Sequence, residues 1–327
     1  MRALVLHKTD SGIDPQLEDL DLSRLPQGDV LIDVSHSSLN YKDGLAVTGK
    51  GKIVRGEFPF VPGIDLAGTV AESASDAWAV GDAVVLTGWG TGEERWGGFA
   101  ERARAHADHL VRLPDGLSPA SAMAIGTAGF TAMLSVMALE HAGITEGDIA
   151  VTGASGGVGS TAVALLAHAG YTVHAFTGTP SAHEGLRQLG AADVHDRSEL
   201  ADPPKGPMGR GRWAGAVDSV GGTTLTTLIA TTERRGCVAA CGLAGGHALH
   251  TTVFPFILRG VTLAGIDSNT SPQDERQNAW NRLANAHASG GLDAIPQTTI
   301  GLAEVPEWSE TIVAGQTVGR VIVDVRS

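Results

Sequence analysis

The stretch GDIAVTGASGGVGSTAVALLAHAG, residues 147–170, holds a short apolar run, four glycines between 153 and 159, and then a run of small and apolar residues. It reads as a strand, a tight turn and a helix. Gly153, Gly156 and Gly159 stand at three-residue spacing, with Gly157 between them. Glycines there let the backbone turn sharply and approach a pyrophosphate. The helix start then offers N–H groups and the positive end of its dipole to the phosphates.

Outward from this loop the rhythm continues. YTVHAFTG (171–178) reads as a second strand, SAHEGLRQLGA (181–191) as a helix stopped by Gly190, and ADVHD (192–196) as a short third strand. ADPPKGPMGRGR (201–212) is a proline- and glycine-rich surface loop. WAGAVDSVGG (213–222), GCVAACGLAGG (236–246) and VTLAGID (261–267) supply three more strands. Strands alternating with helices predict an α/β, Rossmann-type, doubly wound parallel sheet.

The second strand decides the cofactor. An Asp or Glu at its end would hydrogen-bond the ribose 2′-OH of NAD and repel the 2′-phosphate of NADP. Here the strand ends Phe176-Thr177-Gly178-Thr179, with no carboxylate. Those residues are small and neutral, and they leave room for a phosphate. Arg197, just past the third strand, is the cation the topology brings near, although Asp196 stands beside it. A charge-assisted hydrogen bond contributes about 1.5–3 kcal/mol, so the sequence favours NADPH over NADH.

The flanks read differently. RALVLH at the start, DVLIDVSHSSL (29–39), GDAVVLTG (81–88) and GGFAERARAH (97–106) predict short strands between glycines, hence a small barrel or sandwich. Val30, Ile32 and Val34 share one face. SPQDERQNAWNRLANAHASGG (271–291) predicts a helix entered through Ser271 and Pro272 and closed by Gly290 and Gly291. VGRVIVDV (318–325) returns to the first domain as a strand. The expected division is 1–120 with 290–327 as a β-rich domain, and 121–289 as the dinucleotide domain.

Composition narrows the partners. A net charge of −13 over 327 residues argues against nucleic acid and against anionic lipid. Ser118 to Leu139 carry no charge and are long enough to span a bilayer, but Ala, Gly, Ser and Thr dominate them, as in closely packed buried helices. No membrane segment and no leader are expected, and the location expected is cytoplasmic. Cys237 and Cys241 read as core thiols.

Further motifs carry a resemblance. SSLNYKD, TGKGKI, PGIDLAGTV, LTGWG, WGGFAE, IGTAGFTAM, VTGASGGVGSTAVALL, WAGAVDSVGG, CVAACGLAGG and TTVFPFILRGVTLAGIDS resemble the acrylyl-CoA reductase (NADPH) family, allied to the quinone oxidoreductases within the medium-chain dehydrogenase/reductase superfamily. The likeness runs over nearly the whole chain. It implies a β-rich, GroES-like catalytic domain beside the dinucleotide fold. It implies NADPH contacts at Tyr41, at Ser155, Gly156, Gly157 and Val158 for the pyrophosphate, at Thr177, Gly178, Thr179 and Arg197 for the adenosine end, and at Leu243, Asn269 and Arg320 along the pocket. Relatives often carry arginine where this chain has Thr179, which loads more of the phosphate grip onto Arg197.

Zinc members of the superfamily carry a Cys and a Gly-His-Glu sequence where this chain has Asn40-Tyr41 and Gly63-Ile64-Asp65. Isoleucine cannot ligate a metal, and a catalytic zinc needs three protein ligands. No metal is therefore expected in catalysis. The likeness implies hydride delivery to the β-carbon of an unsaturated thioester, a proton to the α-carbon, and negative charge on the thioester oxygen in between. Tyr41 is the expected donor to that oxygen, and Asp43 orients its loop or relays a proton. Three of the five lysines fall in YKDGLAVTGKGK, with Arg55 behind them, a cluster suited to the phosphates of coenzyme A. Trp89 and Trp96 either line the acyl end or pack. A quinone or enone reductase is the alternative, and a non-catalytic NADPH-binding protein a further one. The apolar sixth strand suggests a homodimer.

Overall fold

The computed structural model describes residues 1–327 and divides into two units. The unit that holds the glycine loop comprises Ala128–Ser268 and Asn285–Ile295. Its six strands lie in the order Asp193–Asp196, Thr172–Thr177, Asp148–Thr152, Trp213–Asp218, Thr232–Ala240, Thr262–Gly265, all parallel. Counted within the unit, that order is 3-2-1-4-5-6. The order reverses between the first and fourth strands, where dinucleotides bind in such sheets. At that reversal the buried Thr152 hydroxyl donates to Asp218 Oδ1 (2.6 Å) and fixes the two strand ends together.

Burial pushes both thiols up, to about 11 for Cys237 and about 12 for Cys241. Neither is a reactive thiolate at neutral pH. The helical reading of 181–191 shortens to His183–Gln188 behind a turn at Pro180–Ala182. Leu189 and Ala191, both buried, continue the apolar pattern past the last helical residue, so the pattern alone reads longer than the helix.

The other unit comprises Met1–Thr127, Asn269–Ala284 and Pro296–Ser327. A hairpin, Arg2–Thr9 with Gly12–Asp19, accompanies a seven-stranded sheet. The long strand Val30–Leu39 pairs with Asp65–Ser73, Arg102–Ala105 and the returning strand Arg320–Asp324. Val30, Ile32 and Val34 do point into one core, with Leu4, Leu66, Phe99 and Val323. The strand read over 97–106 is formed only at Arg102–Ala105. Its two leading glycines are spent elsewhere: a Cβ on Gly97 would lie 2.1 Å from Gly63 O, and one on Gly98 2.1 Å from Asp65 O.

Three stretches differ from the sequence reading. Residues 290–295 belong to the parallel-sheet unit, and residues 121–127 and 269–284 to the β-rich unit. The cause is specific: Arg276 is fully buried and donates to Thr87 O (2.8 Å) and to the Thr87 hydroxyl (2.9 Å), and Gln273 donates to Leu110 O (2.6 Å). The uncharged segment lies in the helix Pro119–His141, which is mostly buried inside the structure. It breaks at Gly126 (φ 53°, ψ −162°).

Candidate active site

In the β-rich unit a helix, Tyr41–Val47, starts directly after the long strand. Asp43 stands three residues past Asn40, and its Oδ2 accepts the Asn40 backbone N–H (2.9 Å), the carboxylate half of a capping box. Asp43 Oδ1 accepts from the Ile64 backbone N–H (2.8 Å). The helix start is thus tied to the 63–65 turn, and Tyr41 stands at its first position, 47% exposed and open to a ligand.

Beneath it lies a buried polar cluster. Asp65 Oδ2 accepts from the Ser38 hydroxyl (2.5 Å), Asn40 Nδ2 (2.8 Å) and the Thr127 N–H (2.9 Å), and Oδ1 from the Thr127 hydroxyl (2.5 Å). Arg320 completes it, donating from Nη1 to Asn40 Oδ1 (3.2 Å), from Nη2 to the Ser38 hydroxyl (3.1 Å) and from Nε to Ala124 O (2.8 Å). Asn40 therefore bridges both carboxylates and the guanidinium. Burial first, and the Asp65 charge second, push the Asp43 carboxyl up to about 7. Burial lowers the Arg320 pKa, against the pull of Asp65 and Asp43.

The helix break at Gly126 has its reason here. A Cβ on Gly126 would lie 2.6 Å from Arg320 Nη2, 2.6 Å from Asp65 Oδ2 and 2.8 Å from the Ser38 hydroxyl. Only glycine both adopts this backbone conformation and admits the cluster. Sequence reasoning missed Ser38, Asp65, Gly126 and Thr127 as one group. The available signal was IGTAGFTAM, a glycine inside an otherwise helical run.

The remaining expectations in this unit sort as follows. Asn269 Oδ1 accepts from the Gly90 N–H (3.1 Å), and its carbonyl from the Trp89 N–H (2.8 Å), so it pins the 88–90 turn. Trp89 stacks on His109 (4.8 Å, 2°) with the Arg276 guanidinium over its ring, and Trp96 packs against the small cluster of Ala3, Val5, Val61 and Ala100. Both tryptophans are packing groups. The basic cluster is largely compensated: Lys42 pairs with Glu93 (2.8 Å), Lys50 with Glu310 (2.5 Å) and Arg55 with both Glu93 and Glu94 (3.1 Å each).

In the parallel-sheet unit, Gly157–His168 is a helix whose N-cap is Gly156, without a capping side chain. Its first N–H groups therefore face outward for a phosphate. A Cβ on Gly159 would lie 2.3 Å from Gly153 O, which explains how closely the helix meets the strand end. The Thr177 hydroxyl donates to Ser155 Oγ (2.9 Å) and accepts the Thr179 N–H (3.1 Å), joining the loop to the second strand. Asp196 is in register with Thr177, but its carboxylate accepts the Ser198 N–H (2.8 Å) as a cap. Arg197 instead lies on Gly178: a Cβ there would meet its Nε at 2.6 Å. The residues present fit a 2′-phosphorylated dinucleotide, with a bare glycine, a guanidinium across it and no uncommitted acid at the strand end. Leu243, 65% exposed, lies on the loop after the fifth strand.

A β-rich unit followed by a 3-2-1-4-5-6 dinucleotide sheet, with the chain returning to the first, defines a medium-chain dehydrogenase/reductase. Residues 26–115 match the alcohol dehydrogenase GroES-like domain and residues 157–285 the zinc-binding dehydrogenase model. The chain is 53% identical to "Probable acrylyl-CoA reductase AcuI" of Escherichia coli, over 99% of this chain and 100% of that one. It is 47% identical to "Acrylyl-CoA reductase AcuI" of Ruegeria pomeroyi, over 99% of each. The structure of the yhdH oxidoreductase from Salmonella enterica in complex with NADP superposes with a TM-score of 0.96 at 52% identity, covering 99% of this chain and 100% of that one. The chain belongs to the acrylyl-CoA reductase family.

Proposed function

We propose that the protein reduces acryloyl-CoA to propanoyl-CoA at the expense of NADPH. The observation that carries this is the full-length likeness to acrylyl-CoA reductases, joined to an adenosine end built for a phosphate. NADPH, when bound, supplies the hydride. The helix start at Gly157 and the Ser155–Val158 turn hold its pyrophosphate, and Thr177, Thr179 and Arg197 its phosphorylated ribose. Tyr41 donates to the thioester oxygen, where charge builds during reduction. Asp43 and Asn40 orient Tyr41 by fixing the helix that begins with it, and Asp43 is the group placed to exchange a proton near neutral pH.

The donor set at 40 and 63–65 offers an amide, an aliphatic side chain and a carboxylate already accepting four hydrogen bonds. That set does not hold a catalytic zinc. The coenzyme A phosphates meet Lys52 and the exposed Lys50, whose surface pair with Glu310 is weak enough to exchange. The protein works in the cytoplasm, which fits its two free thiols. It forms a homodimer through the edge strand Thr262–Gly265, flanked by the exposed apolar Val253, Ile257 and Leu258. Light scattering that returns the mass of one chain removes the dimer.

The test is NADPH oxidation measured side by side with acryloyl-CoA, crotonoyl-CoA and a quinone. Acryloyl-CoA should give the highest kcat/KM; a preferred quinone moves the assignment to a quinone reductase. Tyr41→Phe should cut kcat by about 10²-fold, the scale of one lost oxyanion donor. Unchanged turnover would remove Tyr41 from that role.

A further inference from the structure

On the parallel sheet's outer edge, on the two strands that follow the glycine-loop helix, His174, Asp193 and His195 converge. The strands Thr172–Thr177 and Asp193–Asp196 pair in parallel, with His174 opposite Asp193. Residues 193 and 195 are two apart on one strand, so all three side chains leave the same face. His174 Nδ1 lies 3.2 Å from His195 Nε2, and His195 Nε2 lies 3.5 Å from Asp193 Oδ2. One ligand atom from each of the three falls within 4.8 Å of the others.

The outer nitrogens face carboxylates. His195 Nδ1 faces Glu199 Oε1 at 3.2 Å, and His174 Nε2 faces Asp148 Oδ2 at 3.7 Å. An imidazole with its N–H turned to a carboxylate presents a lone pair at the opposite nitrogen. In the tautomers that leave His174 Nδ1 and His195 Nε2 unprotonated, both histidines aim lone pairs at the same point, where a third acceptor, the Asp193 carboxylate, also arrives. Three converging acceptors call for a cation. Carboxylate-backed imidazoles are also the usual outer arrangement of histidine metal ligands. In a tetrahedral site with bonds of about 2.0–2.1 Å, ligand atoms sit about 3.3 Å apart; two of the separations here, 3.2 and 3.5 Å, bracket that spacing, and the third lies within 4.8 Å. Phe176 stacks on His195 (4.8 Å, 17°) and Trp213 lies against His174 (5.1 Å), which holds the rings in place. Asp148, Asp193 and Glu199 outweigh the neighbouring Arg212 in charge.

We propose that His174, His195 and Asp193 bind one divalent transition-metal ion of the zinc class, leaving its fourth position to solvent. Asp193 is 58% exposed, so the site opens outward. Its ligands join the two outermost strands, and Glu199 ties the site to the turn Arg197–Leu200 that carries Arg197. The ion staples the sheet edge rather than meeting the substrate.

The test uses tag-free, EDTA-treated full-length protein. Titration with Co²⁺ should give visible d–d absorption saturating at one equivalent. Zn²⁺ should displace it, register in calorimetry with the same stoichiometry, and raise Tm. Asp193→Asn changes an exposed side chain and should fold normally, yet lose the cobalt spectrum; His195→Ala should do the same. Asp148→Asn, which touches only the outer nitrogen, should weaken Zn²⁺ binding by about 10–100-fold. Absence of stoichiometric uptake by the unmodified protein would overturn the site. So would uptake that Asp193→Asn and His195→Ala leave intact.

Discussion

The buried Asp43 makes the stability of the β-rich unit depend on pH in a direction opposite to most aspartates. In the folded chain its carboxyl titrates at about 7. In an unfolded chain an aspartate titrates near 3.9, about three pH units lower, and each unit is worth about 1.4 kcal/mol. The folded state thus holds this proton more tightly. Below about pH 4 both states are protonated and the contribution is complete. As pH rises the unfolded state ionises first, so stability falls until the folded carboxyl also ionises near 7. The whole loss is about 4 kcal/mol, of which about 2–3 lies between pH 5 and pH 8. Asp43→Asn removes the titration. It also disturbs the bonds from Asn40 and Ile64, a cost that does not vary with pH. Urea denaturation followed by tryptophan fluorescence, run on both proteins across that range, separates the two effects. The variant should start less stable near pH 5 and gain about 2–3 kcal/mol on the unmodified protein by pH 8. Two stability curves that stay parallel would mean that Asp43 is already ionised at pH 5, and the account of its burial would fail.

Two other substitutions test the geometry directly. Gly126→Ala should destabilise the β-rich unit by at least about 3 kcal/mol, because it strains the backbone and displaces Arg320 or Asp65; an unchanged melting curve would refute the tight approach. Arg197→Ala should lower the NADPH-over-NADH ratio of kcat/KM by about ten- to hundredfold while leaving NADH turnover alone. Gly178→Ala should mimic it by pushing the guanidinium aside, and the double variant should be no worse than either single one; additive losses would mean that Arg197 does not act from its place on Gly178.

What the sequence disclosed was local, and what it hid was set by register and distance. The glycine loop, the strand after it and the missing acid lie within about thirty consecutive residues, and each has a spacing rule. The cluster around Asp65 draws on positions 38, 40, 65, 126, 127 and 320, and no periodicity connects them. Arg276 shows the same limit. In sequence it is one of several charges on a polar helix, and in the structure it is fully buried on Thr87, which moves a domain boundary. The pairing of His174 with Asp193 needed the parallel register of two short strands, which neither strand's own pattern determines. The ion pairs of the lysine cluster were hidden for a related reason: Glu93 and Glu310 reach Lys42 and Lys50 from 51 and 260 residues away.

The cluster also bears on why this site manages without the ligands that its zinc-bearing relatives use. By the resemblance, Asn40-Tyr41 and Gly63-Ile64-Asp65 stand where zinc members carry a cysteine and a Gly-His-Glu sequence, and an isoleucine side chain cannot ligate a metal. Asn40 and Ile64 still serve Asp43, one through its backbone N–H and side-chain amide, the other through its backbone N–H. Positive charge enters instead as Arg320, whose Nε and both Nη atoms donate to protein groups. A guanidinium so engaged, and only 4% exposed, is not open to a substrate oxygen as an open metal would be. It can neutralise and orient, but the hydrogen bond to the reacting oxygen must come from elsewhere. Tyr41 is the half-exposed donor held on the same framework, one residue after Asn40 and two before Asp43. On the proposed role of Tyr41, Arg320, Asp65 and Asn40 act as positioning residues, and their loss should act through the placement of Tyr41.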